Sequence, residues 1–213
     1  MAVEEFGFDR DDIQPTRFKK YKGKGGKSDR VGIVFADGQA PCVGATCHYK
    51  DRYFLCKSTK EKREICCLHS YEGNLPKQRM ACVLIMYDIA EKDGKKTLRG
   101  YELTPWIFSD TMYVKLRIMN KEWPLDKHDV TLTCTNEDFQ TIEPQACKES
   151  FWRSKPELQK KILAEAAEMR KTLARQIAAD LSITEIREQL GIDAPGADDA
   201  AADVSLGDVV GNL

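Results

Sequence analysis

The chain has 213 residues, 31% of them charged, and a formal net charge of −1. This length allows one domain with appended segments and a hydrophobic core that is stable without disulfides or metal ions. No apolar run is long enough for a membrane span, and the acidic start lacks the apolar region of a secretion signal. Eight cysteines then favour thiols or a metal over disulfides, and we expect a reducing cytoplasm.

The first thirty residues divide into an acidic and a basic segment. Residues 1–14 hold five carboxylates against one arginine, and we expect a mobile acidic arm. Residues 15–30 hold seven Lys or Arg residues against one Asp, and glycines at 23, 25 and 26 predict a flexible loop. Interleaved cations and aromatic rings favour a single-stranded nucleic acid, because cations follow phosphates and rings stack on bases. The predicted contacts are Arg17, Phe18, Lys19, Lys20, Tyr21, Lys22, Lys24, Lys27 and Arg30.

The sequence of residues 31–147 predicts short strands. The apolar run at 81–90 is the strongest β segment, and the stretches at 98–108 and 127–135 alternate polar and apolar residues with a period of two. We count five or six strands between Val31 and Cys147, spaced as in an all-β domain and without the helices of a βαβ fold. Five aromatic residues of this region could present a face to a base: Tyr49, Tyr53, Tyr101, Trp106 and Tyr113. Of these, the predicted DNA contacts are Tyr49, Tyr53 and Trp106.

Cysteine and histidine are concentrated between Cys42 and His69. Thiolate and imidazole ligands together suit tetrahedral zinc, and Cys66-x2-His69 has a spacing similar to that of a zinc knuckle. The candidate ligands of a structural zinc are Cys47, Cys56, Cys66 and His69. The alternative is a set of small buried thiols on strands, since the chain has no CxxC pair and matches no standard finger. We expect no required cofactor beyond this zinc candidate.

Residues 154–190 predict two helices. Ser154 and Glu157 have the spacing of a capping box, and apolar residues then recur every three or four positions at Leu158, Ile162, Ala166, Met169, Leu173 and Ile177. Ser182 and Glu185 repeat the capping pattern, and Gly191 is a suitable stop. The predicted fold class is mainly β with C-terminal helices (β+α).

Residues 191–213 hold five Asp and no Lys or Arg, and they end in an apolar tip. This composition predicts disorder. A tethered acidic tail with an apolar tip can compete for a cationic groove or bind partner proteins. The tail residues predicted to bind partners are Asp198, Asp199, Asp203, Asp208, Val209, Val210 and Leu213.

The basic run RFKKYKGKGGKSDR, the strands within 82–108 and the tail sequence LGDVVGNL together resemble the OB-fold single-stranded DNA-binding proteins of tailed bacteriophages. The resemblance implies a five-stranded OB-type barrel over residues 15–153, followed by the helices of 154–190 and the tail. It also implies a non-enzymatic protein that coats single-stranded DNA without sequence preference during DNA replication, recombination and repair. The implied partners are single-stranded DNA, replication and recombination proteins bound by the tail, and neighbouring copies on DNA, but no membrane.

Three other classes of function are alternatives. An RNA-binding or regulatory OB protein fits the basic segment equally well, and a preference for the 2′-hydroxyl group would distinguish it. A virion assembly protein would use the long helix as an assembly element and the tail as a spacer. An enzyme is least favoured, because Tyr21 stands where the P-loop motif before Lys27 needs glycine and no catalytic cluster surrounds the histidines.

Overall fold

The computed structural model describes residues 20–50, 52–57, 68, 75–92, 95–138, 140–153 and 155–191. Within these residues the chain is mainly β with helices, as predicted. The elements are β1 (Lys27–Val34), β2 (Val43–Lys50), β3 (Arg52–Leu55), β4 (Lys77–Lys92), β5 (Lys95–Ser109), α1 (Asp110–Glu122), β6 (Val130–Asn136), β7 (Thr141–Ala146), α2 (Pro156–Ile177) and α3 (Ile183–Leu190). None of these helices is long and apolar enough to cross a membrane.

The described residues form two compact units. The first unit comprises the described residues of 1–45 and 78–177, and the second those of 46–77 and 178–213. This division differs from the predicted boundaries at 153 and 190. The difference arises because the chain after β2 pairs with residues that follow α2: the N–H of Leu55 donates to the carbonyl of Ala179, and the N–H of Ala179 donates to that of Tyr53.

The first unit is built on antiparallel strands in the spatial order β7-β6-β1-β4-β5. Val31 of β1 lies opposite Met86 of β4 on one side and opposite Val130 of β6 on the other. When β2 and β3, which lie between β1 and β4 in the chain, are set aside, the order β6-β1-β4-β5 matches that of a Greek key, in which a fourth strand returns to lie beside the first. Among the described strands no pairing joins β5 to β7, so the sheet is open and does not close into a barrel.

Both faces of this sheet are covered. Residues 81–85 of β4 are all buried, which explains their continuous apolar sequence. On one face Cys82 and Leu84 share a core with Leu116 of α1. On the other face a Cβ atom added to Gly32 of β1 would lie 2.7 Å from the indole nitrogen of Trp152. Helix α2 contacts β1 and β5 and buries five of the six predicted stripe residues, Ile162, Ala166, Met169, Leu173 and Ile177.

Helix α1 is the element that the sequence analysis missed. The side chain of Ser109 caps it by accepting a hydrogen bond from the N–H of Met112. Apolar residues also occupy its exposed side, at Val114 and Ile118. This weakens the contrast between a buried and a solvated face on which a sequence-based assignment depends. The helix contacts both β5 and β7.

The second unit contains β2 from Thr46 onward, β3 and α3. Phe54, Leu68 and Ile186 form its core. Helix α3 begins with the predicted capping box of Ser182 and Glu185. It ends at the predicted Gly191, whose φ of 60° lies in the left-handed region that favours glycine.

The buried carboxylate of Asp129, directly before β6, joins several parts of the first unit. It accepts hydrogen bonds from Nε of Arg30 at 3.1 Å, from the hydroxyl of Tyr87 at 2.8 Å and from the N–H of Phe151 at 3.1 Å. These donors lie on β1, on β4 and after β7. Burial raises the pKa of Asp129, and the three donors offset this only in part.

We expect Asp129→Ala to lower the free energy of unfolding by about 3–5 kcal/mol, because the charge of Arg30 and two further donors lose their partner. Asp129→Asn should lower the free energy of unfolding by less than half as much. Its amide oxygen can still accept from Arg30 and Phe151, while Tyr87 turns its hydroxyl to accept. Urea denaturation measures both losses, and equal losses would contradict this explanation.

The raised pKa of Asp129 also predicts a pH dependence. The folded protein holds this proton to a higher pH than the unfolded chain does. The free energy of unfolding of the natural protein, relative to that of Asp129→Asn, should therefore fall as pH rises from the ordinary value of 3.8 through the raised value. Urea denaturation of both proteins between pH 4 and pH 7 tests this, and a rising difference would refute it.

Candidate nucleic-acid interface

Tyr21, predicted to contact DNA, attaches the basic segment to the sheet. Its N–H donates to the carbonyl of Pro105 on β5 at 2.9 Å, and its hydroxyl donates to Asp29 at 2.9 Å. The ring meets that of Trp106 edge-on, with 6.1 Å between centroids. Burial and the bond to Asp29 raise the pKa of Tyr21, which keeps the hydroxyl protonated as a donor. Tyr21 is therefore an anchor within the fold.

Residues 22–27 lie alongside the turn between β6 and β7. The N–H of Gly23 donates to the side chain of Gln140 at 2.8 Å, and that of Gly25 donates to Glu137 at 3.1 Å. A Cβ atom at Gly23 would lie 2.7 Å from that of Cys134, so the close approach requires glycine here. These hydrogen bonds hold residues 22–27, here called the fixed segment, against the turn between β6 and β7. The exposed cations of the fixed segment are Lys22, Lys24 and Lys27.

Two further predicted DNA contacts, Trp106 and Arg30, also have internal roles, and the burial of Trp106 corrects the sequence analysis. Trp106 is 3% exposed and packs on Phe108 with 4.5 Å between ring centroids, so neither face can receive a base. Arg30 pairs with Asp129 and lies 3.8 Å over the ring of Phe151. Lys20 is exposed, and its Nζ donates to a carbonyl of α2 at 2.8 Å. Three other predicted contacts lie outside the described residues: Arg17, Phe18 and Lys19.

Tyr49 and Tyr53 form an aromatic pair on the second unit. They lie directly opposite each other on β2 and β3, and their ring centroids are 4.9 Å apart. Tyr49 is 55% exposed. A cross-strand pair of this kind presents an apolar surface on which a base can stack. The sequence named both residues, and the structure brings them together.

A groove on the first unit supplies cations that the sequence analysis did not identify as a site. It has a volume of about 590 Å³ and lies between β5 and the start of α2. The charged and aromatic residues that line the groove are Arg99, Tyr101, Lys155, Lys161 and Glu165. Three cations thus accompany one carboxylate. Arg99 lies on β5, whereas Lys155 and Lys161 lie at the start of α2. Because these cations are far apart in the sequence, no cluster of charged residues indicated the groove.

Tyr101 is held in this groove by neighbours from α2. Its hydroxyl donates to Glu165 at 3.0 Å, and Nζ of Lys161 lies 5.7 Å from the ring centroid. Partial burial, followed by the bond to Glu165, raises the pKa of Tyr101, so the hydroxyl remains a donor. A positioned ring among cations can stack on a base while the cations contact the adjacent phosphates.

The predicted zinc ligands are only partly described. Cys47 is buried, and its sulfur lies 3.5 Å from the carbonyl oxygen of Lys77. Cys56 is half-buried, whereas Cys66 and His69 lie outside the described residues. Within the described ranges no group of three or more His, Cys, Asp or Glu residues could hold a metal ion. Zinc stays a prediction.

No protein-family model, curated protein or solved structure matches this chain. The argument for a function therefore depends on the site itself. In the described residues that site is a set of exposed cations and positioned aromatic rings on a mainly β fold.

The structural assignments of Tyr49 and Trp106 can be tested without a ligand. Tyr49→Ala should lower the free energy of unfolding by about 1 kcal/mol or less, because an exposed side chain loses only its contact with Tyr53. Trp106→Ala should lower it by about 3–5 kcal/mol, because it leaves a cavity in the core. Urea denaturation compares them, and similar losses for the two variants would contradict the assignment.

Proposed function

We propose that the protein binds single-stranded DNA and coats it without sequence preference during phage DNA replication, recombination and repair. The observation that carries this proposal is the groove in which the ring of Tyr101 is positioned beside Arg99, Lys155 and Lys161. Cations that replace counterions on phosphates supply most of the affinity for a nucleic acid, and a ring adds stacking with any base.

The strand order supports an OB-type domain. An OB fold is a five-stranded, partly open Greek-key barrel, and the first unit has a Greek key extended by β7. Helix α1 contacts both β5 and β7, the two strands that would have to meet for closure. OB domains bind oligonucleotides on the face of their second and third strands and on two loops. On this reading those strands are β4 and β5, and the β6–β7 turn is one of the loops.

The positions of the cations and rings agree with this reading. The groove lies on β5, and the fixed segment with Lys22, Lys24 and Lys27 lies alongside the β6–β7 turn. Phosphate contacts and stacking carry no direct sequence information, which accounts for binding without sequence preference. Tyr49 and Tyr53 offer a further stacking surface. No enzymatic step is proposed.

The acidic tail is proposed to regulate binding. Its residues Asp198, Asp199 and Asp203 would compete with DNA for the cations, and the tail would recruit replication and recombination proteins once DNA displaces it. These residues lie outside the described part of the chain, so their role follows from charge alone. Self-association on DNA belongs to the same proposal.

The proposal is tested by titrating fluorescently labelled oligo-dT with the full chain and recording anisotropy at several salt concentrations. Contacts from Lys22, Lys24, Lys27, Arg99, Lys155 and Lys161 predict that log K falls with log salt with a slope of about −4. Lys155→Ala/Lys161→Ala should weaken binding about tenfold or more at low salt and flatten the slope by about 1.4. Tyr101→Ala should weaken binding about 5- to 150-fold.

The matched control is Lys171→Ala/Arg175→Ala, which removes the same charge from α2 at residues that do not line the groove. It should bind nearly as the natural protein does. Equal weakening by both double variants would show that net charge alone matters and would refute the groove. An oligo-dT affinity no higher than that for duplex DNA, or a higher affinity for a matched RNA, would overturn the assignment to single-stranded DNA.

A further inference from the structure

An apolar cavity lies within the first unit, between helix α1 and the sheet. Its volume is about 240 Å³. Its walls include Cys42, Cys82 of β4, Phe108 of β5 and Leu116 of α1. An apolar cavity of about 150 Å³ already admits benzene. This one is therefore large enough for the phenyl ring of a phenylalanine.

Polar donors lie at the edge of this cavity. Arg117 and Asn120, both exposed, line it from α1. Among the described residues Arg117 forms no ion pair, whereas Lys115 on the same helix pairs with Glu143 at 2.7 Å. Oδ1 of Asn120 accepts a hydrogen bond from the N–H of Leu125 at 2.8 Å, which leaves its NH2 group to donate elsewhere. A guanidinium and an amide donor beside an apolar cavity suit an aromatic ring with an adjacent carboxylate.

We infer that this cavity binds the acidic N-terminal arm of the same chain, through residues 4–9. Their sequence, EEFGFD, sets two phenylalanines among three carboxylates. One phenyl ring, of Phe6 or Phe8, would fill the cavity. The carboxylate next to it in the sequence, Glu5 or Asp9, would then pair with Arg117. The composition of the arm alone predicts mobility, whereas the cavity provides a surface that matches both its rings and its charge.

The arm joins the first unit close to this cavity. Tyr21 donates its N–H to the carbonyl of Pro105 on β5, and its ring meets Trp106. Trp106 in turn packs on Phe108, which lines the cavity. Pro105 and Phe108 are three residues apart on one strand, a distance of about 10 Å. Tyr21 also packs against the same hydrophobic core as the cavity residues.

The length of the connection permits docking within one molecule. Phe8 precedes Tyr21 by thirteen residues, which span up to about 45 Å when extended. This reach is several times the distance from Pro105 to the cavity wall. Residues 1–19 are also the longest stretch of the first unit that lies outside the described residues. A short tether keeps the effective concentration of the arm high, so a modest intrinsic affinity is enough for docking.

Docking would hold the chain between Phe8 and Tyr21 at both ends. The predicted DNA contacts Arg17, Phe18 and Lys19 lie in this interval, and on the proposed function they would be positioned at a lower entropic cost on binding. The inference itself does not depend on the proposed function. It concerns the protein without DNA, and its test uses no nucleic acid.

The test compares backbone amide chemical shifts of the full chain with those of Phe6→Ser/Phe8→Ser. The matched control is Val3→Ser/Ile13→Ser, which removes two apolar side chains from the arm outside residues 4–9. Removal of a docked ring removes its ring current. The phenylalanine variant, but not the control, should therefore shift the amides of Cys42, Leu116 and Leu125 around the cavity.

Benzene provides a second measurement on the same proteins. Because a docked phenyl ring would occupy the cavity, benzene should shift the amides around the cavity more strongly in Phe6→Ser/Phe8→Ser than in the natural protein or the control. Equal responses of the three proteins would overturn the inference, because they would show that the arm does not fill the cavity.

Arg117→Gln provides the reciprocal measurement, with Lys127→Gln as its matched control at an exposed cation that does not line the cavity. Arg117→Gln alone should shift the amides of residues 4–9 towards the values that they have in Phe6→Ser/Phe8→Ser. Shifts of the phenylalanine variant that are confined to the arm, or that appear at Tyr101 and Lys161 without any at the cavity, would overturn the inference. Differences that grow with protein concentration would overturn docking within one molecule in favour of exchange between copies.

Discussion

One buried carboxylate, that of Asp129, joins three separate parts of the first unit. It receives donors from β1, β4 and the chain after β7, and Phe151, one of those donors, meets Tyr87 edge-on with 5.5 Å between ring centroids. A carboxylate with no solvent contact is costly unless each acceptor position is used, so these elements are held in one arrangement. The position of β1 determines where the basic segment before it can lie.

The proposed nucleic-acid surface depends on this arrangement through short connections. Arg30 on β1 is fixed by Asp129, and the cations Lys22, Lys24 and Lys27 precede it along the same chain. Hydrogen bonds to Gln140 and Glu137 fix this segment on the other side. A positioned set of cations loses less conformational entropy on binding than a flexible loop does. On the proposed function, the fixed segment would therefore offer phosphates a positioned set of cations in place of the flexible loop expected from its glycines.

The sequence predicted elements whose signals are local. The apolar run of β4, the stripe of α2 and the cap of α3 at Ser182 each depend on neighbouring residues, and all three are present. Helix α1 was missed because Val114 and Ile118 are apolar and exposed, which hides the helical period.

Site residues were harder to predict because burial and pairing are set by distant parts of the chain. Nothing next to Trp106 in the sequence shows that it is buried, and nothing near Arg30 shows that Asp129, ninety-nine residues later, neutralises it. The groove of Tyr101 needs β5 and α2 to meet, which no local motif indicates. Tyr49 and Tyr53 were named as separate candidates, and only the register of the β2–β3 ribbon shows that they lie opposite each other.

The measurement that most directly tests the central claim is photo-crosslinking of oligo-dT to the full chain, with the modified residues identified by mass spectrometry. The account predicts crosslinks at Tyr101 and at the Tyr49–Tyr53 pair, and none at the buried Trp106. Crosslinks confined to α1, for example at Tyr113, or crosslinks absent from Tyr101 under conditions of saturated binding, would contradict the proposed interface.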